Sequence, residues 1–203
     1  MPSADRSECP LETTRLRLRL WRIEDAPGAF HIYSDPQVMH FLGGPTPGSG
    51  APARSLDEMR ERLKKMIDRT DSFAPGLGMW ATFEKSTGQL VGCMLLKPLP
   101  GPNNEGYADE IEVGWHLARS AWGKGFATEG GRAMLRHAFN TLHVPIVYAV
   151  VYPENARSVA VMHRLQMRGQ GITERFYNAR LELFALERSA WHADECRQSA
   201  RGA

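Results

Sequence analysis

A short glycine-rich segment in the second half of the chain carries the clearest chemical pattern. Gly123-Lys124-Gly125 lies between a predicted strand over residues 110–117 and a predicted helix that begins at Phe126. Glycine lets the main chain approach a ligand closely, and the first turn of a helix leaves backbone N–H groups without intrahelical acceptors. Such a turn favours a phosphate or diphosphate as ligand. The same spacing is also typical of a tight strand-to-helix turn that binds nothing.

Two other phosphate-binding loops do not match this segment. A Walker A loop needs Ser or Thr directly after Gly-Lys, and Gly125 occupies that position. The dinucleotide-binding fingerprint needs Gly or Ala where this chain has Thr128, and it belongs to the first strand–helix unit of its fold. The sequence therefore excludes both loops.

The surrounding periodicities predict the elements that hold this segment. In residues 14–21 (TRLRLRLW) leucines alternate with arginines, which is typical of a half-buried strand. Residues 55–69 repeat apolar side chains at helical spacing, with Ser55 as the predicted N-cap and Glu58 as its reciprocal partner. The alternation of elements indicates a mixed α/β domain. Further helices are predicted over 23–33, 126–140 and 155–165, and further strands over 79–84, 89–96, 110–117, 146–151 and 180–191.

Composition places the chain among globular proteins. It has 203 residues, of which 42% belong to the apolar set AVILMFWYC and 24% are charged. We expect a single domain over residues 11–192, with flexible termini at 1–10 and 193–203. The first ten residues contain no apolar stretch of the secretory kind, and no run of 18 apolar residues predicts a membrane span.

Charge and cysteine content narrow the classes of partner and site. A formal net charge of +2 gives no reason to expect a nucleic-acid partner. Cys9, Cys93 and Cys196 are too far apart for a disulfide framework or a zinc motif, so we expect no metal site. Three unpaired thiols are typical of a reducing compartment, and we expect a cytoplasmic protein. No segment indicates an assembly, which leaves monomer and homodimer both open.

The glycine turn and three further segments together resemble a known protein family. Residues 112–117 (EVGWHL) and 122–129 (WGKGFATE) closely resemble motif A of the GNAT acyl-CoA N-acyltransferases. They look in particular like the branch of ribosomal-protein N-terminal acetyltransferases that modify alanine or serine. Residues 11–19 (LETTRLRLR) and 155–165 (NARSVAVMHRL) resemble the same branch. The resemblance spans most of residues 11–191.

The resemblance implies a GNAT-like fold, in which helices flank a central twisted mixed β-sheet of about six or seven strands. A V-shaped cleft between two splayed strands would hold acetyl-CoA, the implied co-substrate. Its pantetheine arm would lie along one strand and its diphosphate on the turn amides. The implied cofactor-binding residues are Trp115, His116, Leu117, Trp122, Gly123, Lys124, Gly125, Phe126, Ala127, Thr128 and Asn155.

The resemblance also implies the reaction, which is transfer of an acetyl group from acetyl-CoA to a primary amine. Glu112 is our first choice of general base, because it precedes the strand segment that would contact the cofactor. A solvated strand residue is the equally consistent reading of Glu112, and Asp109 and Glu110 are the alternates. Asn155 and Ser158 would face the cofactor's thiol end as catalytic residues, although Asn155 is also a typical helix N-cap.

Three positions depart from the family pattern. Ser120 stands where the turn usually has Gln or Arg, and Arg119 is the nearest substitute. Met162 replaces the Tyr that protonates the leaving thiolate in many members, so the sequence does not identify the general acid. Gln166 replaces a usual glycine.

A protein N-terminal α-amino group is the predicted acceptor. The alternatives are a small-molecule amine of the antibiotic or polyamine type and a non-catalytic acyl-CoA-binding module, which the residue at Met162 suggests. A cleft lined by many carboxylates would favour the small amine, whereas a neutral groove would favour a protein N-terminus.

Overall fold

The computed structural model describes residues 11–193, which contain one eight-stranded mixed sheet. The strands are β1 (Leu11–Glu12), β2 (Leu16–Leu20), β3 (Gly78–Glu84), β4 (Leu90–Pro100), β5 (Tyr107–Leu117), β6 (Ile146–Val151), β7 (Arg168–Thr173) and β8 (Leu181–Glu187). Their spatial order is β1-β2-β3-β4-β5-β6-β8-β7. The central pair β5 and β6 is parallel, and its neighbours pair antiparallel.

Helices and short turns connect these strands. The helices are α1 (Ala26–Tyr33), α2 (Pro36–Met39), α3 (Leu56–Asp71), α4 (Phe126–Arg136) and α5 (Ala156–Arg164). Tight 3₁₀ turns occur at Ile23–Asp25, Pro102–Asn104 and Arg119–Ala121, and a π-helical turn at His137–Thr141 follows α4.

The predicted N-cap of α3 is confirmed, with one change of partner. The hydroxyl of Ser55 accepts a hydrogen bond from the Glu58 amide at 3.1 Å. The Glu58 carboxylate accepts in turn from the amide of Arg54 at 3.0 Å, and not from that of Ser55. Two backbone N–H groups at the start of the helix are satisfied in this way.

The helices pack on both faces of the centre of the sheet. A Cβ added at Gly130 of α4 would lie 2.5 Å from the Met94 side chain, and one at Gly131 would lie 3.5 Å from Trp115. Glycine therefore allows α4 to lie directly on the face that carries Met94 and Trp115. Successive strand residues point to opposite faces, and Tyr33 of α1 contacts His116 on the other face.

The sheet divides between β5 and β6. These strands pair only at Ile111–Val147 and Glu112–Tyr148, although β5 continues to Leu117 and β6 to Val151. Beyond the two pairs the strands diverge. The V-shaped opening implied by the sequence is therefore present, and its tip lies next to Glu112.

The observed elements differ from the prediction at several places. The strand expected over 180–191 ends at Glu187 and is followed by helix, and α2 was not predicted. The sheet has eight strands where about six or seven were expected, because β1 and β7 were not predicted. A two-residue strand is too short to show a period, and β7 (RGQGIT) has glycines and polar residues that disfavour strands. The helix expected over 126–140 ends as α-helix at Arg136. The expected flexible termini, except Ala193, and the thiols of Cys9 and Cys196 lie outside the described residues.

Candidate active site

An open cleft of about 1360 Å³ lies beside the end of β5, where this strand no longer pairs with β6. Its walls are the end of β5, the turn that leads into α4, and the facing sides of α4 and α5. Residues 13–15 border one part of it, and Gln37, Val38, Phe41 and Leu42 border another. The cleft therefore joins the glycine turn to the segment around α2.

The glycine turn presents main-chain donors to this cleft. Gly123 and Gly125 have φ angles of 76° and 81°, a left-handed conformation that costs other residues free energy. Gly125 is the N-cap of α4 and has no side chain to cap it. Within residues 11–193, the amides of Gly123, Lys124 and Gly125 have no hydrogen-bond acceptor. These exposed donors at a helix N-terminus suit an anionic ligand.

The side chains along the cleft are strongly basic. Among the described residues that line it, five are arginines and one is a carboxylate, Glu129, which is paired with Arg15 at 2.6 Å. A cleft of this charge attracts an anion with several phosphates. The arginines are Arg15, Arg132, Arg136, Arg157 and Arg164.

Trp122 links the two walls of the cleft. Its indole Nε1 donates to the carbonyl of Leu117 at 3.0 Å, which fixes the turn to the end of β5. The guanidinium of Arg157, in the first turn of α5, lies 4.6 Å from the centre of the Trp122 ring. This cation–π contact spans from the β5 side to the α5 side of the opening.

Asn155 and Ser158 both line the cleft at the start of α5. The side-chain oxygen of Asn155 accepts a hydrogen bond from the Ser158 amide at 3.2 Å, which confirms Asn155 as the N-cap. The hydroxyl of Ser158 has no hydrogen-bond partner among residues 11–193 and remains available as a donor. Met162 is buried, with an exposed fraction of 3%. The catalytic roles of Asn155 and Ser158 stay predictions.

Glu112 is buried in a polar network and is not among the described residues that line the cleft. Its Oε2 accepts from Lys97 Nζ at 2.8 Å and from the Tyr177 hydroxyl at 2.5 Å, and Lys97 also donates to the Tyr177 oxygen at 2.6 Å. Burial first, and then the Glu112 charge, raise the pKa of Tyr177 far enough that it remains a donor. A solvated carboxylate is therefore not what the structure shows, and the role of Glu112 as base stays a prediction.

His116 lies on the same face of the sheet as Glu112. Its Nδ1 is 3.2 Å from the Tyr33 hydroxyl. Burial, and then the positive charge of Lys97, lower the pKa of His116 to about 4. The imidazole is therefore uncharged at neutral pH and adds no positive charge to the cleft that it lines.

The structure brings most of the predicted cofactor-binding residues together along the cleft. Lys124 is the exception: its side chain does not line the cleft, and its carbonyl accepts from Arg15 Nη1 at 2.9 Å. Phe126 is buried, so it offers the cleft little more than its backbone. The predicted residues that line it are Trp115, His116, Leu117, Trp122, Gly123, Gly125, Phe126, Ala127, Thr128, Asn155 and Ser158.

Several residues of the site were not predicted from the sequence. Arg15 was assigned to the polar face of a strand, and Arg119, the expected substitute at the turn, is absent from the described cleft lining. Lys97 and Tyr177 carried no local signal, because they reach Glu112 only through the sheet and the β7–β8 loop. The register of β4 with β5, which pairs Lys97 with Glu112, is the feature that could have indicated the first contact.

Metal-ligating clusters and membrane-spanning helices are both absent from residues 11–193. No group of three or more His, Cys, Asp or Glu side chains is arranged to hold a metal ion there. In the same range no helix combines the length and the apolar character needed to cross a bilayer.

Comparison with known proteins identifies the family. A sequence profile of the acetyltransferase (GNAT) domain matches residues 15–168. N-acetyltransferase p20 of Bacillus licheniformis is 25% identical over 170 residues, which cover 84% of this chain and 88% of that protein. FsC-acetyl coenzyme A-N(2)-transacetylase of Aspergillus fumigatus is 31% identical over 172 residues, which cover 83% and 67% of the two chains.

A solved structure shows the same fold. The ribosomal-protein-S5-alanine acetyltransferase from Vibrio fischeri matches with a TM-score of 0.66 and 14% identity, over 91% of this chain and 99% of that one. The split sheet and the basic cleft agree with the profile match, which covers more than half of the chain. The chain therefore belongs to the GNAT acetyltransferase family, and it is an acetyl-CoA-dependent N-acetyltransferase.

Proposed function

We propose that the protein acetylates the N-terminal α-amino group of a protein, with acetyl-CoA bound in the cleft between β5 and β6. The charge of the cleft is the observation that carries this proposal. Five arginines and one already paired carboxylate attract a polyphosphate donor and repel a polycationic acceptor. An acceptor with a single weakly basic amine fits this field, whereas a polyamine does not.

The residues of the cleft fit the donor in two ways. The edge of β5 beyond Glu112 has no β6 partner, so Trp115, His116 and Leu117 offer backbone groups to the amides of a pantetheine arm. The turn amides and the N-terminus of α4 suit a diphosphate. When bound, acetyl-CoA supplies the activated thioester, and the chain supplies position and proton transfer.

The segment around α2 supports an uncharged acceptor pocket. Gln37, Val38, Phe41 and Leu42 line the cleft there and none of them is charged. The Phe41 ring lies 6.1 Å from that of Tyr152, which comes three residues before Asn155. This contact places the uncharged wall beside the residues that we expect at the thiol end.

The protonation equilibrium of the acceptor also favours an α-amino group. An amine must be neutral to attack, and at pH 7 roughly a tenth of an α-amino group with a pKa near 8 is neutral. A lysine side chain near 10.4 is neutral at about 0.04%, a free-energy cost of about 4.6 kcal/mol compared with about 1.4 kcal/mol.

Glu112 is the proposed base and acts through a water molecule. Its Oε2 is used by Lys97 and Tyr177, while its Oε1 receives no hydrogen bond from residues 11–193. Because Glu112 does not line the cleft itself, a relay by water connects it to the amine.

Ser158 is the proposed donor to the leaving sulfur. Ser158 lines the cleft, and the hydrogen bond from its amide to Asn155 fixes its backbone. Its hydroxyl has no hydrogen-bond partner among residues 11–193. Met162 has no proton to give, so we assign this role to Ser158 on α5.

Acetyl transfer to a matched set of acceptors tests the proposal. The acceptors are a peptide with a free N-terminal alanine or serine, the same peptide with a blocked N-terminus and an internal lysine, and spermidine. We expect release of free thiol, and one acetyl group located by mass spectrometry, with the first peptide. Preferred acetylation of spermidine or of the blocked peptide would contradict the proposed acceptor. Tight acetyl-CoA binding without transfer to any amine would indicate a binding module.

A small-molecule nitrogen is the second candidate acceptor. The 31% identical relative from Aspergillus fumigatus is named for transfer to the N(2) position of FsC. The same assay with a set of compounds that each carry one primary amine separates the two candidates. A specificity constant higher for such a compound than for every peptide would favour the small molecule.

A further inference from the structure

Arg15 lies against the glycine turn, although it belongs to a distant part of the chain. Its Nη1 donates to the Lys124 carbonyl at 2.9 Å, and its guanidinium lies 4.8 Å from the centre of the Phe126 ring. Its Nη2 is 3.3 Å from the position that a Cβ at Gly125 would occupy. Residues just before β2 thus place a cation beside the turn amides.

Glu129 fixes the position of this guanidinium. Its Oε2 accepts from Arg15 Nε at 2.6 Å, and its Oε1 accepts from the Arg15 amide at 2.8 Å and from Thr13 Oγ1 at 2.6 Å. Burial opposes the charge of Glu129, but these hydrogen bonds and the Arg15 charge hold its pKa below the usual range. The carboxylate therefore remains charged and keeps the guanidinium at the N-terminus of α4.

The guanidinium retains hydrogen-bonding capacity after these contacts. Arginine has five N–H donors. Nε and Nη2 each use one on Glu129, and Nη1 uses one on Lys124, so two remain without an acceptor among residues 11–193. The side chain is 49% exposed and lines the cleft, so the remaining donors are accessible from it.

We propose that Arg15 is a phosphate-binding residue of this enzyme, held by Glu129 so that its two free N–H donors face the diphosphate of the acyl donor beside the turn amides. This inference rests on the proposed binding of acetyl-CoA in the cleft. Planar guanidinium donors match phosphate oxygens well. The side chains of Arg119 and Lys124, at the turn itself, are not among the described residues that line the cleft. Arg15 therefore supplies the positive charge beside the turn amides.

Substitutions with effects of different size separate phosphate binding by Arg15 from a merely structural role. Calorimetry with CoA is carried out on Arg15→Gln, Glu129→Gln and the control Arg17→Gln. The Arg17 guanidinium lies over the Phe83 ring of the neighbouring strand β3. We expect Arg15→Gln to weaken CoA binding by about tenfold or more, as for loss of a hydrogen bond between charged groups. Glu129→Gln releases the guanidinium from its fixed position but leaves its positive charge, so CoA binding should weaken less than in Arg15→Gln. Unchanged CoA binding by Arg15→Gln, or greater weakening by Glu129→Gln than by Arg15→Gln, would overturn the proposal, because the guanidinium would then not be the group that binds phosphate.

A phosphate-free donor provides the second measurement. S-acetylpantetheine has no diphosphate. The substitution Arg15→Gln should therefore lower the rate of acetyl transfer from S-acetylpantetheine less than the rate of transfer from acetyl-CoA. Equal losses with both donors would overturn the role of Arg15 in phosphate binding. Failure of the unsubstituted protein to bind CoA would instead overturn the proposed function itself. Thermal unfolding of each variant identifies any loss of affinity that comes from a damaged fold.

Discussion

Gly125 offers the sharpest test of where the donor binds. Its φ angle of 81° would cost an L-residue about 1–2 kcal/mol. In a chain of this size each kcal/mol lowers the melting temperature by about 2–4 °C. Gly125→Asp should therefore lower the melting temperature by about 2–8 °C while the fold is retained.

The new carboxylate of Gly125→Asp should act mainly on binding of the donor. A unit charge about 5 Å from one phosphate charge costs about 3 kcal/mol at an effective dielectric constant of about 20. Arg15, whose Nη2 is 3.3 Å from the new Cβ, neutralises part of this repulsion. We expect CoA affinity to fall by about ten- to a hundredfold, which corresponds to about 1.4–3 kcal/mol.

Gly88→Asp is the matched control. Gly88 has a φ angle of 68° in the turn between β3 and β4, where an added Cβ meets nothing within 4 Å. This variant adds the same charge and comparable backbone strain away from the cleft. Calorimetry with CoA and thermal unfolding are measured on both variants. If both bind CoA equally well, the turn does not hold the diphosphate and our placement of the donor is wrong.

Three more substitutions test the other groups of the site. Glu112→Gln should lower turnover by about a hundredfold or more, mainly below pH 8, with CoA affinity unchanged. If Asp109→Asn has this effect and Glu112→Gln does not, Asp109 is the base. Ser158→Ala should lower kcat without weakening CoA binding, and an unchanged kcat would remove its hydroxyl from the reaction. The pKa of His116 is lowered to about 4 by burial, so the folded state binds fewer protons than the unfolded state between this value and about 6.5. The stabilisation from its neutral form is complete above that window and is lost as pH falls through it. His116→Gln should therefore flatten this part of the pH dependence of unfolding in denaturant, and an unchanged curve would contradict the assignment.

Local features of the fold could be predicted from the sequence, because their causes lie within a few residues. Ser55 and Asn155 both cap helices through amides three residues later, a spacing visible in the chain. Leu16 and Leu18 are fully buried, as the alternation in β2 indicated. The position of the glycine turn between a strand and a helix could likewise be predicted from the local sequence.

The partners of the site residues could not be predicted, because they depend on contacts across the sheet. Arg15 and Glu129 are 114 positions apart, and the arginine pattern of β2 indicated only a polar face. Glu112 was as consistent with solvent as with catalysis, since nothing near it in sequence indicates that Lys97 and Tyr177 bury it. The termination of α4 by a π-helical turn depends on packing that periodicity does not encode.

The short pairing of β5 with β6 has a mechanical consequence. Two residue pairs are the only ladder contact described between the β1–β5 half of the sheet and the half formed by β6, β8 and β7. An extended ligand that forms hydrogen bonds with the free edges of both β5 and β6 would join the two halves of the sheet while it is bound. Ligand binding and the rigidity of the whole sheet are then linked: the more firmly the ligand joins the two halves, the more slowly it dissociates.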